Sequence, residues 1–324
     1  MFGPSRWPEQ AEVFRTGRTG RYVGGMEETA GAAHPFSRSA TKRLLDSACE
    51  AAGLPSDGAE LLRLGENAIY QLQTPVVVRI ARSSDYWPDA SKEVLVARWL
   101  ADTGIPAATV VDDLPQPMDV AGHPVTFWHF IRGKPGGAES VADLGRILRE
   151  VHGTEPPAGL PNQDILGRVE RRIRTAPISE DDRGFLAGRY AELRDELDRL
   201  DYPLSAGPAH GDAHTDNLML TDDGPVLIDF ERFYYGQPEW DIALMAVEQR
   251  VGWWTDQDYR TFCEAYGYDI TDWKGFPILE AVHRLKMTTW LMQMVDDSPQ
   301  IAQEHDNRMR SLRNGQSEAR WRPF

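Results

Sequence analysis

The chain has 324 residues, enough for one large or two moderate domains around a substantial core. Its 35 basic and 50 acidic side chains leave a formal net charge of −15. This balance argues against nucleic acid as a main partner, because a phosphate backbone requires clustered positive charge. The charge could instead draw a cationic substrate into an acidic cleft, although solubility explains it equally well.

The cysteine content and the hydropathy pattern limit the compartment. Cys49 and Cys263 are more than two hundred residues apart, and no disulfide framework or zinc-binding spacing is visible. No apolar run reaches the roughly eighteen residues of a membrane-spanning helix, and the N-terminus lacks the apolar core of a signal peptide. These features predict a cytoplasmic protein with no membrane partner.

The first elements follow from periodicity. Residues 1–35 show no sustained pattern, which predicts a mobile extension or a loosely docked segment. From Ser37 the apolar residues recur at helical spacing, and Gly53 with Pro55 predicts the end of that helix. Three predicted strands follow over residues 60–64, 69–72 and 76–81.

The next block ends the strand-rich part of the chain. Residues 85–90 predict a polar loop and residues 91–101 a helix, and two more strands are predicted over 109–113 and 123–131. The Gly-rich loop from Arg132 to Gly137 places a domain boundary between residues 36–130 and 131–324. The remainder is mostly helical, with predicted helices over 141–153 and 179–200 and three or four more near the C-terminus.

Three polar residues before and after an apolar strand are the strongest functional signal. Asp212, Asn217 and Asp229 lie five and then twelve residues apart, and residues 222–225 predict a turn before a strand that ends at Asp229. Such a hairpin would return Asp229 to the neighbourhood of Asp212 and Asn217. Two carboxylates and an amide oxygen suit a hard cation such as Mg²⁺, with one carboxylate left to take a proton. That set is the minimum for moving a phosphoryl group from a nucleotide to a hydroxyl.

Simpler interpretations remain open for single residues of this segment. A lone His-Gly-Asp is usually a turn, and Asp or Asn near turns usually serves turns and caps. His214 fits a loop-shaping role, a substrate contact or a satisfied structural histidine, and Asp216 fits a loop cap.

The motif as a whole resembles a known family. His210-Gly211-Asp212 with Asn217, then Ile228-Asp229, then Asp241 in a Gly-x-Pro-x-x-Asp-Ile-Ala stretch resembles the aminoglycoside phosphotransferase and choline kinase group. The protein-kinase catalytic loop likewise reads His-Arg-Asp with an Asn five residues on. The resemblance covers roughly residues 36–324. It implies an α+β, bilobal, protein-kinase-like fold, with an antiparallel N-lobe sheet carrying one or two helices and a larger, mostly helical C-lobe.

The resemblance also implies roles for the motif residues. Asp212 is expected to accept or orient the proton of the substrate hydroxyl, and Asn217 and Asp229 are expected to bind Mg²⁺. His210 and Asp241 are expected to support the catalytic loop without direct chemistry.

A nucleotide site for ATP or GTP is implied in the N-lobe. The turn at Gly65 and Asn67 matches the nucleotide loop of the family, although most such turns merely join strands. Arg79 stands where the family often has Lys, and Glu93 is its expected partner in holding the phosphates, an ordinary surface pair being the alternative. Adenine is expected to contact the backbone of the hinge, at Trp128, His129 and Phe130. The absence of Gly-x-x-x-x-Gly-Lys-Ser/Thr excludes a P-loop.

The acceptor is expected to bind among the C-terminal helices. Acidic residues outnumber basic ones there, which favours a cationic small molecule such as an aminoglycoside or amino-alcohol. These residues are Glu231, Glu239, Glu248, Asp256, Asp258 and Asp272. Trp253-Trp254 could stack a sugar or cage an ammonium group. The simpler alternative is that all of these residues are surface charge and packing.

Three functions remain open from the sequence. The first is a small-molecule kinase that phosphorylates a hydroxyl, and the second is a kinase of Ser or Thr in a peptide during natural-product maturation. The third is a nucleotide-binding pseudokinase that acts by interaction. The intact Asp212, Asn217 and Asp229 argue against the third, whereas Arg79 favours it.

Overall fold

The computed structural model describes residues 36–316 and 319–324, and the predicted extension at residues 1–35 lies outside them. The described chain divides into two compact units, each built from several segments. The first holds the residues up to Gly136 together with Pro157–Leu160 and Asp216–Phe233. The second holds Gly137–Pro156, Pro161–Thr215 and Tyr234–Phe324. The sequence-based boundary at residues 130 and 131 stays a prediction.

The first unit combines two helices with most of the strands, and helices predominate in the second. In the described residues the helices are α1 (Arg38–Ala52), α2 (Trp87–Thr103), α3 (Val141–His152), α4 (Val169–Thr175), α5 (Glu180–Leu197), α6 (Glu239–Arg250), α7 (Asp256–Tyr266), α8 (Phe276–Leu291) and α9 (Pro299–Arg313). The strands are β1 (Glu60–Leu64), β2 (Asn67–Gln71), β3 (Val76–Ala81), β4 (Met118–Val120), β5 (His123–His129), β6 (Lys134–Pro135), β7 (Gly207–Ala209), β8 (Leu218–Thr221), β9 (Gly224–Leu227) and β10 (Tyr234–Gly236).

A five-stranded antiparallel sheet of order β1-β2-β3-β5-β4 forms the centre of the first unit. The β-branched run at the start of β3 suits a strand buried on both faces. Leu45 and Ala48 of helix α1 belong to one hydrophobic cluster with buried residues of this sheet. The Thr41 hydroxyl forms a hydrogen bond with the Tyr70 hydroxyl at 2.8 Å. Ser37 caps the start of α1 and Gly53, in the left-handed conformation, ends it.

The predicted strand over residues 109–113 is wrong. Val110 makes only an isolated bridge to Trp128, and the edge of the sheet is filled instead by β4. The turn from β4 to β5 consists of Ala121 and Gly122, both with positive φ, at 54° and 82°. Two left-handed residues in a two-residue loop match the twist of antiparallel strands. The apolar, β-branched run around Val110 therefore forms a single bridge, and the edge strand is β4, which is joined to β5 by a short hairpin.

The predicted polar loop over residues 85–90 is also wrong from Trp87 onward. Helix α2 begins at Trp87, with Pro88 in its first turn. Proline suits that position because its missing N–H would have no partner in the helix. The polar composition of this stretch belongs to a partly exposed first turn of the helix.

The hairpin predicted between Asn217 and Asp229 is confirmed, with a shorter turn. Strands β8 and β9 pair antiparallel with Leu218 opposite Leu227. The strand ends two residues before Asp229, and the turn is confined to residues 222 and 223 because Gly224 already pairs with Thr221.

The second unit consists mainly of helices around the short pair β7–β10. Helix α3 packs closely against α7 at Gly145, where an added Cβ would lie 2.8 Å from the Phe262 carbonyl oxygen. Glycine is therefore required at this crossing. The register of the two-stranded sheet places Ala209 opposite Tyr234. This pairing fixes the strand that leads into His210.

Candidate active site

The His-Gly-Asp segment forms a sharp loop directly after β7. Gly211 has φ 82°, a left-handed conformation that a residue with a Cβ rarely adopts, and this explains the glycine between His210 and Asp212. His210 is fully buried, and its Nδ1 accepts the Asp212 backbone N–H at 3.3 Å. The histidine thus shapes the turn that presents Asp212.

Asp241 holds this loop through the main chain. Its carboxylate accepts the backbone N–H of His210 at 2.6 Å and of Gly211 at 2.8 Å. His152 contributes a third contact, with Nε2 at 3.1 Å from Asp241 Oδ2. Asp241 is 1% exposed, and the neighbouring Trp240 indole donates to the Gly211 carbonyl at 3.4 Å. Buried backbone groups need partners, so the first turn of α6 sets the path of the loop.

His214 lies between two carboxylates of the second unit. Its Nε2 is 3.2 Å from Asp212 Oδ1, and its Nδ1 is 2.9 Å from Glu248 Oε1. Glu248 is 2% exposed, and its Oε2 accepts the Trp254 indole N–H at 2.7 Å. Burial lowers the pKa of His214, but Glu248 and Asp212 outweigh burial, so the pKa lies well above its usual value. The sequence left the role of His214 open, and no spacing rule pointed to Glu248 as its partner.

In the first unit, Arg79 is held by side chains from three elements. Its guanidinium contacts the Glu93 carboxylate on α2 and lies 3.9 Å from Glu231 Oε2. With its amide oxygen turned toward Arg79, Asn67 accepts from Nε and Nη2 at 3.2 and 3.1 Å. Glu93 is 5% exposed, which is not the environment of an ordinary surface pair. Burial raises the pKa of Glu93, and the Arg79 charge opposes that shift.

The β8–β9 hairpin joins the backbones of the predicted metal ligands. The Ile228 N–H donates to the Asn217 carbonyl at 2.9 Å, which places Asp229 one residue beyond this pairing. Asp229 itself has φ 65°, and non-glycine residues in this region tend to occur at functional sites. Phe230, next along the chain, is buried against Trp128 and Phe233. The predicted convergence of Asp212 with this pair stays a prediction.

The donor chemistry of the hairpin fits Mg²⁺. Across residues 36–316 and 319–324, no group of three or more His, Cys, Asp or Glu side chains is placed to hold a metal ion. One amide oxygen and one carboxylate are a small set, but Mg²⁺ commonly takes one or two carboxylates and completes its shell with water and substrate phosphates. Asn217 and Asp229 are therefore suited to a cation that arrives with a nucleotide.

The backbone N–H groups of Gly65, His129 and Phe130, in the predicted nucleotide loop and hinge, form hydrogen bonds within the first unit. Gly65 lies in the β1–β2 turn, where its N–H donates to the Asn67 carbonyl at 3.0 Å, and it does not have the positive φ that requires glycine. At the hinge, the His129 N–H donates to Thr109 and the Phe130 N–H to Pro75, at 3.0 and 2.9 Å. Adenine recognition in this segment would therefore use carbonyl groups, or the backbone after Phe130.

Two further charged residues belong to the cluster around Arg79. Arg63, on β1, has a lowered pKa because it is partly buried and close to the positive charge of Arg79. Asp229 and Glu231 oppose that shift. The sequence signal that could have identified Arg63 is its position as a basic residue within the apolar strand Glu60–Leu64. Glu231 had been counted only among the acidic residues of the acceptor site.

Several acidic residues that suggest a cationic acceptor instead contact other groups of the protein. Glu239 is fully buried and accepts the Leu204 N–H at 2.7 Å, and Glu248 pairs with His214. Asp258 forms a reciprocal cap with Thr255 at the start of α7. Trp253 likewise donates its indole N–H to the Trp321 carbonyl at 2.8 Å. The acidic surplus of this region is therefore weak evidence for the charge of the acceptor.

Residues 59–277, more than half of the chain, match the sequence model of the phosphotransferase enzyme family, APH. The chain belongs to this family. The resemblance inferred from the motifs is confirmed, and the protein is a phosphotransferase enzyme. Comparison with curated protein sequences gave no match. In the described residues, no helix is both long and apolar enough to cross a membrane.

Solved structures share the fold at low identity. The amicoumacin kinase hAmiN, in complex with AMP-PNP, Ca²⁺ and Ami, is 16% identical with a TM-score of 0.67, over 88% of this chain and 98% of that one. The GDP and kanamycin complex of APH(2″)-IIia is 14% identical with a TM-score of 0.61, over 85% and 99%. Choline kinase LicA from Streptococcus pneumoniae is 16% identical with a TM-score of 0.61, over 85% and 98%. The predicted α+β, protein-kinase-like fold is therefore confirmed.

Proposed function

We propose that the protein transfers the γ-phosphoryl group of ATP or GTP to a hydroxyl group of a small molecule that carries an amine. The acceptor class is an aminoglycoside, an amino sugar or an amino-alcohol. Three structural neighbours support this choice, because their names include kanamycin, choline and amicoumacin as ligand or substrate. Those names also support a nucleotide donor, since two of the complexes contain AMP-PNP or GDP.

The loop geometry around Asp212 carries the proposal. The Gly211 turn and the two N–H groups bound by Asp241 present one carboxylate at a fixed point of the loop. There it can orient the acceptor hydroxyl and take its proton as the oxygen attacks the γ-phosphorus. The new bond joins that oxygen to phosphorus, the bond from phosphorus to the β–γ bridging oxygen breaks, and the nucleoside diphosphate leaves.

The first unit supplies the groups that bind the nucleotide. Arg79 offers a planar guanidinium to the phosphates, and Glu93 and Asn67 fix its orientation. Asn217 and Asp229 would hold a divalent cation with their oxygens. That cation would neutralise charge on the phosphates. These residues act mainly by positioning, which is what phosphoryl transfer requires.

Substitution of Asp212 tests the proposal. Asp212→Ala should lower kcat by roughly 10²–10⁴-fold, while nucleotide binding, measured by calorimetry with a non-hydrolysable analogue, stays close to wild type. Asp222→Asn, in the exposed β8–β9 turn, is the matched control and should keep full activity. The assay presents Mg²⁺, ATP or GTP, and a panel of aminoglycosides, amino sugars, choline-like alcohols and Ser-containing peptides. Wild-type turnover of peptides alone, or an Asp212→Ala enzyme with near-normal kcat, would contradict the proposal.

A further inference from the structure

We propose that His214 is a positioning residue for Asp212, and that Glu248 on helix α6 holds His214 in that role. Three side chains then form a continuous chain of contacts from the helix to the reacting carboxylate. This inference rests on the proposed role of Asp212. It goes beyond that role by adding two residues, one of which touches no reacting group.

Each imidazole nitrogen of His214 lies at ion-pair distance from a carboxylate oxygen. Nε2 lies 3.2 Å from Asp212 Oδ1 and Nδ1 lies 2.9 Å from Glu248 Oε1. Glu248 is fixed in turn, because its second oxygen accepts the Trp254 indole N–H at 2.7 Å. A carboxylate beside one imidazole nitrogen favours the cationic ring, and the cation attracts a carboxylate beside its other nitrogen. Here that second carboxylate is Asp212.

The surroundings of His214 favour its protonated form. Glu248 faces it from α6, and Asp212 from its own loop. From α8, His283 is 3% exposed, bonds the Trp240 carbonyl at 3.1 Å and stacks on the Trp240 ring. Burial and the nearby Lys286 lower the pKa of His283 well below its usual value, so it adds no positive charge. Two carboxylates therefore act on His214, and its pKa is raised well above the usual value.

The burial of Glu248 argues for more than packing. A buried carboxylate costs free energy unless a cation or a hydrogen-bond donor compensates it. Glu248 is 2% exposed and follows a run of apolar residues on its helix, and it contacts the Trp254 indole N–H and His214. A neutral side chain at position 248 would have packed at lower cost. The charge is useful if it keeps His214 cationic next to Asp212.

The decisive variant is Glu248→Gln, which keeps the shape and the contact with Trp254 but removes the charge. The pKa of His214 should fall toward its ordinary value, because one of the two carboxylates that raise it is gone. His214 would then lose its proton as the pH rises. We expect kcat of this variant to fall about tenfold between about pH 6.5 and pH 8.5 relative to wild type over the same interval. KM for the nucleotide should not change.

His214→Gln completes the test. Glutamine cannot carry the charge, so kcat should be low at every pH. The pH profile of kcat should not show the extra fall at rising pH that is expected for Glu248→Gln. The matched control is Glu280→Gln, which neutralises another buried glutamate of the same unit, paired with Arg250 and Arg284. Each pH profile is normalised within its own variant, so a partly unfolded preparation changes its height but not its shape. A purely structural role predicts that Glu248→Gln and Glu280→Gln share the wild-type shape, and that result would overturn the inference.

A second readout separates this inference from the proposed function. The imidazole resonances of the eight histidines can be followed by NMR, with His214 assigned by its absence in His214→Gln. His214 should stay protonated to a higher pH in wild type than in Glu248→Gln, because Glu248 and Asp212 together raise its pKa in wild type. If the wild-type enzyme turned over but His214 titrated normally in both proteins, the inference would fail and the proposed function would stand. If His214 behaved as expected but no acceptor were phosphorylated, the proposed function would fail and the positioning role would fall with it.

Discussion

The two units of the molecule hold their polar residues by different means. In the second unit, the buried Asp241 binds the main chain of the loop that carries Asp212, through the N–H groups of His210 and Gly211. In the first unit, Arg79 is bound by the side chains of Glu93 and Asn67. One arrangement fixes the path of the backbone, and the other fixes the direction of a charge.

This difference predicts where the effect of a substitution should appear. A main-chain anchor positions every atom of its loop, so its loss should reduce kcat and the stability of the fold together. A side-chain ion pair positions one group that binds ligand in the ground state as well, so its loss should mainly raise KM for the nucleotide. The comparison fails if variants of the two units give the same kinetic pattern.

Asp241→Ala should have the largest effect. It leaves the buried His210 N–H, the partly buried Gly211 N–H and His152 without their carboxylate, and an unsatisfied buried polar group typically costs about 1–3 kcal/mol. A loop displaced by about 1 Å costs roughly 100-fold in rate, so kcat should fall at least to that degree. Urea unfolding and steady-state kinetics measure both effects. Asp241→Asn is the control, because it keeps one acceptor oxygen and should lose less of each. Unchanged kcat in Asp241→Ala would show that the loop needs no anchor.

Arg79→Ala comes next and should act on nucleotide binding. A hydrogen bond to a charged group contributes about 1.5–3 kcal/mol, so KM for the nucleotide should rise roughly 10- to 100-fold while kcat falls less. Arg79→Lys keeps the charge but loses the planar fork that contacts Glu93 and Asn67. We expect it to lie between wild type and Arg79→Ala. A lysine variant that binds nucleotide better than wild type would show that the arginine serves another purpose.

The sequence predicted the β8–β9 hairpin well because local rules determine it. The spacing of Asn217 and Asp229 reflects one tight antiparallel pairing, and a short turn with a glycine allows few registers. The metal-binding roles of Asn217 and Asp229 stay predictions, but local structure that is set by neighbours in sequence could be predicted without coordinates.

Residues whose roles depend on distant partners could not. Glu248 looked like one acidic residue among several on a helix, and only its burial and its contact with His214 distinguish it. The edge strand β4 was missed for a related reason, because an apolar run at Val110 matched the strand pattern better than the short segment Met118–Val120. Hydrophobic periodicity depends on the local sequence, whereas strand pairing depends on which segment lies next to the edge of the sheet.

Glu93→Gln should have a smaller effect than either Arg79 variant, because Asn67 and Glu231 still contact Arg79. We expect KM for the nucleotide to rise by roughly 2- to 10-fold, the size of a single net hydrogen bond. The variant should also change the pH dependence. Burial raises the pKa of Glu93 above its usual value, so lowering the pH from about 8 to about 6 should protonate it, release Arg79 and raise KM in wild type. Glu93→Gln cannot be protonated there and should show a flatter KM profile. Equal slopes in the two proteins would remove Glu93 from the explanation.

Asp258→Ala should have the smallest effect, and it separates stability from acceptor binding. Asp258 accepts the Thr255 N–H at 3.0 Å while Thr255 Oγ1 accepts the Asp258 N–H at 3.1 Å, a reciprocal cap on helix α7. Losing half of this cap should lower the free energy of unfolding by about 0.5–1 kcal/mol, seen as a shift in the urea midpoint. Neither kcat nor KM for an amine acceptor should change, because the carboxylate is already used within the helix. A rise in KM confined to cationic acceptors would instead return Asp258 to the acceptor site and restore the acidic-cleft interpretation of this region.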